Sequence, residues 1–378
     1  MRFTAYPLNK IEISENRIRE NMQLLLQVNK DIAIAPVLKS NAYGHGIELI
    51  GKLLEEYKVP FYCVNSIQEA HQLREAGVTT DILIMGYVDP SDLASKEWDY
   101  IFVILDIAYA RIVNKYQHKA RVHLHIETGL HREGIDILSF PELLTEIKNL
   151  ENLHVEGIMS HLACSNDPAC PTTVQQLSNF TRAKKLVEEF GFSPKWVHLG
   201  GSLALLNKLA TGCNVVRVGK AIFGIALNTT YSGGKNAVKQ DDRMKEFNLV
   251  LTLKTKIAQI KYIKKGDHLG YADLFIAELD MTIGILPIGY NDGVDRRLSN
   301  KGKMIVGGVA CPILGVVAMN VTTIDLSDVE NPQVGQDVIV YSQEKSDGNS
   351  LDNAAIVCGT LPQDLLLHLP VNMVRELH

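Results

Sequence analysis

Residues 31–46 read DIAIAPVLKSNAYGHG, an apolar run that ends on Lys39 and passes at once into a polar, glycine-bearing turn. A short run of β-branched and small apolar residues closed by turn formers reads as a buried strand. Residues 32–39 are therefore predicted as a strand with the lysine at its C-terminal end. The same pattern recurs at 60–64, 81–86, 100–105, 121–126, 154–160, 195–199 and 214–218, each run separated from the next by an amphipathic stretch. Strands that alternate with helical crossovers imply a parallel sheet, and about eight of them is the number that closes a TIM barrel.

The helical stretches carry their own punctuation. Residues 14–29 place Ile18, Met22, Leu25 and Leu26 on one face behind a capping Ser14, residues 66–76 open with Ser66 and Glu69 as a capping box and stop at Gly77, and 172–190 follow Pro171. The character changes after Asn228. Residues 229–245 are polar, contain Gly233 and Gly234, and have no apolar period. Beyond them, alternating runs at 249–260, 281–288, 304–306 and 338–341 are spaced by Gly, Pro and Asp, as in a β-rich unit. The expectation is an α/β chain: a (β/α)8 TIM-type barrel over residues 11–235, then a mostly β C-terminal domain over 236–378. Residues 1–10 are expected to form a strand that joins the second domain.

Composition agrees with two domains, since 378 residues with 46% hydrophobic content exceed what one core usually organises. The net charge of -5 is spread without a basic stripe, which argues against a nucleic-acid partner. The first ten residues lack the apolar core of a signal peptide, and no apolar run approaches the roughly 20 residues needed to span a bilayer. A cytoplasmic protein with no membrane partner is expected. The six cysteines form no Cys-x-x-Cys pair and have no histidine partners at metal-ligand spacing, so reduced thiols and no metal are expected.

Barrel enzymes gather their chemistry at the C-terminal ends of the strands. Lys39 stands at such an end, as do His161, the Gly200-Gly201-Ser202 run, and Arg217 with Gly219. A strand-end lysine points either to solvent or into the barrel mouth, where desolvation suits an amine to Schiff-base chemistry. Gly-Gly-Ser either holds a phosphate through N–H groups and a hydroxyl or makes a plain turn. Arg217 reads equally as a rim ion pair, and His161 as a satisfied structural residue.

Residues 35–46, APVLKSNAYGHG, resemble the cofactor-lysine motif of the alanine racemases, Val-Lys-Ala-Asn-Ala-Tyr-Gly-His-Gly. Thr128-Gly129 with Arg132, His161, Ser202, Arg217 with Gly219, and LPIGYNDG at 286–293 with Arg296 extend the resemblance over nearly the whole chain. The resemblance implies an isomerase that interconverts L- and D-alanine with pyridoxal 5'-phosphate, Lys39 holding the cofactor as a Schiff base. Tyr271, otherwise an ordinary sheet tyrosine, becomes the second acid/base group. Removal of a proton on one face and return on the other inverts the α-carbon, so two bases are needed. In the family this tyrosine arrives from the other subunit of a head-to-tail homodimer. Arg217 would donate to the pyridine nitrogen, with His161 packed on the ring and orienting Arg217. Tyr43, Ser202 and Gly219 would hold the phosphate. Arg132 and the Met319 N–H would meet the substrate carboxylate, and Tyr290 and Arg296 would line the entrance.

Several positions depart from the family pattern. His125 stands where many relatives carry a lysine that becomes carbamylated, and a histidine supplies no negative charge to orient Arg132; a neutral acceptor or a bound anion would have to serve. Leu130 replaces Met, Gly201 replaces Asn, Lys220 replaces an apolar residue and adds charge beside the phosphate, Asn320 replaces Asp, and Gln363 stands in for a phosphate-contacting tyrosine. Asn320 and Gln363 alter the polarity of the gate, and Gln363 either still hydrogen-bonds the phosphate or opens room for a side chain larger than methyl, with serine or a longer polar amino acid as the preferred substrate. Two other readings share the scaffold: a decarboxylase of basic amino acids, and a non-catalytic protein that binds pyridoxal phosphate.

Overall fold

The computed structural model describes residues 7–225 and 245–378. The expected domain boundary at 235/236 lies outside the described residues, as does most of the strand expected over residues 1–10. Two compact units are present: Met22–Ala42 with Ile47–Ile222, and Met1–Asn21, Tyr43–Gly46 and Phe223–His378.

The first unit is an eight-stranded parallel barrel. Its strands are Ala33–Pro36, Tyr62–Val64, Ile82–Ile84, Ile101–Ile104, Ala120–Glu127, Leu153–Ser160, Trp196–Leu199 and Val215–Val218, one for each run expected from sequence. Each of the second to eighth strands pairs with its neighbour in the chain. The eighth returns to the first, and a bridge from Val37 to Cys63 joins the first to the second. Parallel strands covered on both faces need apolar residues without alternation, and Tyr62–Val64, Ile82–Ile84 and Ile101–Ile104 are accordingly buried at every position.

Helices cross between the strands, among them Ile47–Leu54, Ile67–Glu75, Ile107–Tyr116, Phe140–Ile147 and Pro171–Glu189. Ile67–Glu75 starts where Ser66 accepts the Glu69 N–H at 3.3 Å. The expected capping box closes only by half, because the Glu69 carboxylate accepts N–H groups from Asn65 and Ser40 instead.

The second unit is built on a nine-stranded sheet. The order across it is Gln259–Ile263, Met281–Leu286, Thr322–Asp325, Val309–Leu314, Lys303–Val306, Asp337–Tyr341, Leu251–Lys256, Lys10–Ile13 and Val374–Leu377. Its neighbours are antiparallel except for Lys10–Ile13 beside Val374–Leu377. The single run expected over 249–260 divides into the separate strands Leu251–Lys256 and Gln259–Ile263. Ile11 and Ile13 of the N-terminal strand are fully buried, each contributing about 1.5–3 kcal/mol to fixing that strand in the sheet. No helix among the described residues is long and apolar enough to cross a membrane.

Candidate active site

Lys39 leaves the first barrel strand into a turn that the sequence did not announce. Ser40, Asn41 and Ala42 take φ values of 56°, 54° and 52° with ψ of 53°, 46° and 52°, and Tyr43 follows at φ 53°, so four consecutive non-glycine residues have positive φ. Such a conformation costs an L-residue about 1–2 kcal/mol, and strain of this kind concentrates at functional sites. Local bonds hold it in place. The Ala42 N–H donates to the Leu38 carbonyl at 2.8 Å, and Asn41 Oδ1 accepts the Ile47 N–H at 2.8 Å. Glu69 clasps the Ser40 N–H with one oxygen and the Asn65 N–H, at 2.8 Å, with the other. The residue after the lysine is thus tied to the end of the second strand.

Arg217, inward on the eighth strand, is only 4% exposed. Its Nη2 donates to the Ser160 carbonyl at 2.7 Å and lies 3.3 Å from His161 Nδ1, while Nη1 donates to His198 Nδ1 at 2.7 Å. His198 Nε2 in turn stands 2.9 Å from His123 Nδ1. A guanidinium can only donate, which fixes every proton in this chain. His198 accepts at Nδ1, so it carries its proton on Nε2 and donates to His123. His123 then carries its own proton on Nε2, and that atom is buried with no hydrogen-bond partner. Gly157 makes room for the ring: a Cβ there would sit 2.6 Å from His123 Cδ2.

All four histidines of this interior are held neutral. Burial, then the charge of Arg217, pushes His123 down to about 3 and His125 to about 4, with Arg121 adding to the first and Arg132 to the second. His161 falls to about 3 through burial, then Arg217, Arg132, His125 and Lys39. His198 lies well below its ordinary value for the same leading reasons. Arg217, 3.3 Å away, together with the charges of Arg132 and Lys39, disfavours protonation of His161. No carboxylate contacts the Arg217 guanidinium among the described residues, and its own pKa is lowered chiefly by burial.

Around this centre the barrel mouth is braced by amides and hydroxyls. Gln176 donates to the His161 carbonyl at 2.9 Å and accepts the Ala163 N–H at 2.8 Å, while Thr128 and Ser160 share a hydroxyl bond of 2.8 Å. The Glu127 carboxylate, although burial opposes its charge, is drawn below its usual range by N–H groups of His131, Gly129, Arg132 and Leu130. Those bonds shape the loop on which Arg132 stands half exposed, 3.7 Å from Glu133, at a cleft of about 400 Å3. Ser202 is buried at the start of the short helix Ser202–Leu206. Gly200, at φ 71° with Ala204 Cβ 2.4 Å from any added Cβ, requires glycine, whereas Gly201 is extended and has room for a side chain. Gly219 ends the last strand and is followed by Lys220, whose half-buried ammonium is shifted down by burial and makes no ion pair among the described residues.

The remaining expected residues belong to the second unit. Tyr43 packs its ring 6.0 Å from that of Phe223, and the Gly44 carbonyl accepts from Arg375 Nε at 2.8 Å. Tyr271 opens the turn Tyr271–Asp273 after Gly270 and is 74% exposed; Met319 is 56% exposed. Tyr290 and Arg296 line a second cleft, of about 430 Å3, with Asp295, Leu365 and His368. The Asn320 amide donates to Asp292 Oδ2 at 3.2 Å, a contact that an aspartate could not make without repulsion. Gln363 holds its Oε1 buried and without a hydrogen-bond partner.

His123, His198 and Glu69 were not anticipated as parts of the site. For the histidines a signal existed: His198 is the one polar residue of Trp196–Leu199, and His123 sits between Val122 and Leu124 in the largely buried Ala120–Glu127. Glu69 gave none, because its spacing from Ser66 already had a local explanation.

The alanine racemase N-terminal domain matches residues 13–227, and the alanine racemase C-terminal domain matches 250–377. Alanine racemase 1 of Caldanaerobacter subterraneus subsp. tengcongensis is 31% identical over 382 residues, 99% of this chain and 96% of the relative. Alanine racemase of Citrifermentans bemidjiense is 28% identical, covering 97% and 98%. Among solved structures, alanine racemase of Clostridium difficile 630 superposes with a TM-score of 0.87 at 25% identity, covering 99% and 97%. That of Bacillus anthracis with bound L-Ala-P gives 0.85 at 25%, covering 99% and 96%.

Proposed function

The chain belongs to the alanine racemase family, and from that premise we propose that it is a racemase interconverting L- and D-alanine, with pyridoxal 5'-phosphate as cofactor. The family uses this cofactor, and the barrel residues fit it. Arg217 near the end of one strand, and Lys39 and Lys220 just beyond strand ends, have no carboxylate paired to them among the described residues, so the site offers positive charge to an anionic group. Ser202, Gly219 and Lys220, with Tyr43 and Gln363, would hold its phosphate, and Lys39 would bind it covalently. When bound, the group withdraws electrons from the substrate α-carbon and acidifies its hydrogen.

This chain's own residues do the rest. Lys39 Nζ holds or takes the α-proton on one face, and the Tyr271 hydroxyl serves the other. The exposure of Tyr271 and Met319 supports their delivery to the barrel of a second copy, in a homodimer with shared sites. Arg217, which stays protonated, would donate to the pyridine nitrogen of the bound group and so disfavour a proton there. His198, Ser160 and His161 hold the guanidinium for that purpose. Arg132 and the Met319 N–H orient the substrate carboxylate, and Tyr290 and Arg296 limit what enters. The Asn320 and Gln363 departures fit turnover of serine or a longer polar amino acid beside alanine.

The observation that carries this reading is Arg217, fully enclosed and solvated by neutral imidazoles and a carbonyl rather than by an acid. The test is optical inversion of L-alanine and L-serine by the cofactor-loaded protein in deuterated water, with Lys39→Ala as control. Solvent deuterium at the α-carbon with loss of chirality, absent in the control, is the expected result. Carbon dioxide release from lysine or ornithine without inversion would replace it with a decarboxylase.

A further inference from the structure

Outside this machinery, the loop 161–170 between the sixth barrel strand and the helix Pro171–Glu189 contains a second kind of chemistry. Two successive turns fold it back on itself: the Asp167 N–H donates to the Cys164 carbonyl at 3.3 Å and the Cys170 N–H to the Asp167 carbonyl at 3.2 Å. Thr173 Oγ1 donates to that same Cys164 carbonyl at 2.7 Å, tying Cys164 to the first turn of the helix that Cys170 caps. The Cys164 thiol donates to Asn166 Oδ1 at 3.4 Å, and the two thiols are near enough for each to shift the other's proton affinity. Both are partly exposed, whereas Cys63, Cys213, Cys311 and Cys358 are buried.

We infer that Cys170 and Cys164 form a peroxide-oxidisable dithiol, in which Cys170 attacks, Cys164 resolves, and a reversible disulfide closes the loop that leaves His161.

The two thiols divide these roles by environment. Cys170 is drawn below its usual value by Cys164 first and then by the Thr173 and Thr172 amides at the helix start. Cys164 is raised by burial and by Cys170. Burial lifts the other four much further, to about 12 for Cys63 and Cys358 and about 11 for Cys213 and Cys311. The thiolate is the nucleophile. In the first step the Cys170 thiolate attacks one oxygen of hydrogen peroxide, breaking the O–O bond to give a sulfenic acid and hydroxide. In the second the Cys164 sulfur attacks that sulfenic sulfur, the S–O bond breaks, and water leaves with the thiol proton. Two thiols lose two electrons and two protons, and one peroxide becomes two waters. Gln176, on the capped helix, holds the His161 carbonyl and the Ala163 amide, so the bridge would fasten the segment that carries His161.

The test is peptide mapping of the full-length, cofactor-loaded protein after one equivalent of hydrogen peroxide. The expected product is an intramolecular 164–170 disulfide that dithiothreitol reverses. Cys164→Ser should trap Cys170 as a dimedone-reactive sulfenic acid, and Cys170→Ser should leave Cys164 reacting roughly tenfold more slowly. Equal reactivity of the two variants, first oxidation at any buried cysteine, or intermolecular bridges instead of the internal one would overturn the inference. None of these readouts depends on racemisation, so its failure and that of the proposed activity are separable.

Discussion

Replacing His123 and His198 in turn by leucine tests the proton assignments running out from Arg217. His198→Leu removes the Nδ1 acceptor 2.7 Å from Arg217 Nη1 and leaves a charged donor in the barrel interior with only a 3.4 Å contact to the His198 position carbonyl. Breaking a buried charged hydrogen bond in this way costs about 3 kcal/mol. His123→Leu is different in kind. It deletes the orphan Nε2–H of His123 and creates a new one at His198 Nε2, exchanging one unsatisfied donor for another. Each orphan is worth about 1–3 kcal/mol, so the two effects offset and the net change should lie within about 1 kcal/mol. Urea unfolding of the two variants and the parent at neutral pH measures both figures, and ¹⁵N shifts of the His198 ring report its tautomer directly. If His123→Leu destabilised as much as His198→Leu, or if His198 carried its proton on Nδ1, the assignment would fall.

The other expectations are briefer. His123, His125, His161 and His198 are neutral when folded but titrate near 6.5 when unfolded. The unfolded chain therefore binds more protons below that pH. Their stabilisation is complete above about pH 6.5 and is lost as pH falls toward 4, by about 1.4 kcal/mol per pH unit for each; urea midpoints that stay level between pH 7 and pH 5 would contradict this. Gly157→Ala would drive a methyl into the His123 ring, 2.6 Å from Cδ2, and should cost about 1–3 kcal/mol in thermal or urea unfolding. Glu69→Gln leaves either the Ser40 or the Asn65 N–H without its carboxylate oxygen. Here kcat should fall about ten- to a hundredfold while the melting temperature moves little, and an unchanged kcat would remove Glu69 from any part in holding Lys39.

The barrel was legible because burial on both faces forces unbroken apolar runs, and all eight strands overlap the stretches read from sequence, Ala120–Glu127 and Leu153–Ser160 overrunning theirs by a residue at one or both ends. Strand ends then located Lys39, His161, Ser202 and Arg217 without knowledge of any pairing. What could not be read depends on contacts far apart in sequence. The insertion of Lys10–Ile13 between Leu251–Lys256 and Val374–Leu377 is fixed by partners 238 to 244 residues away on one side and 364 on the other, as Lys10 opposite Lys254 and Val374 shows. The left-handed turn at 40–43 escaped because positive φ is normally signalled by glycine, and these positions hold Ser, Asn, Ala and Tyr. His123 and His198 were visible as residues but not as a chain, since their order is set by where the Arg217 protons point.

That left-handed turn also sets the order of events in the life of a molecule. A free peptide covering residues 38–47 would not hold four L-residues in a mirror-handed turn, because the clasp from Glu69 and the placement of Asn65 come from the second strand and the helix after it. The nascent chain thus possesses lysine 39 as a residue long before it possesses it as a site. Under the proposed reading, cofactor capture is a late step in biogenesis that waits for barrel strands to assemble, and the appearance of the cofactor's visible absorbance during refolding becomes a clock for barrel assembly rather than for collapse.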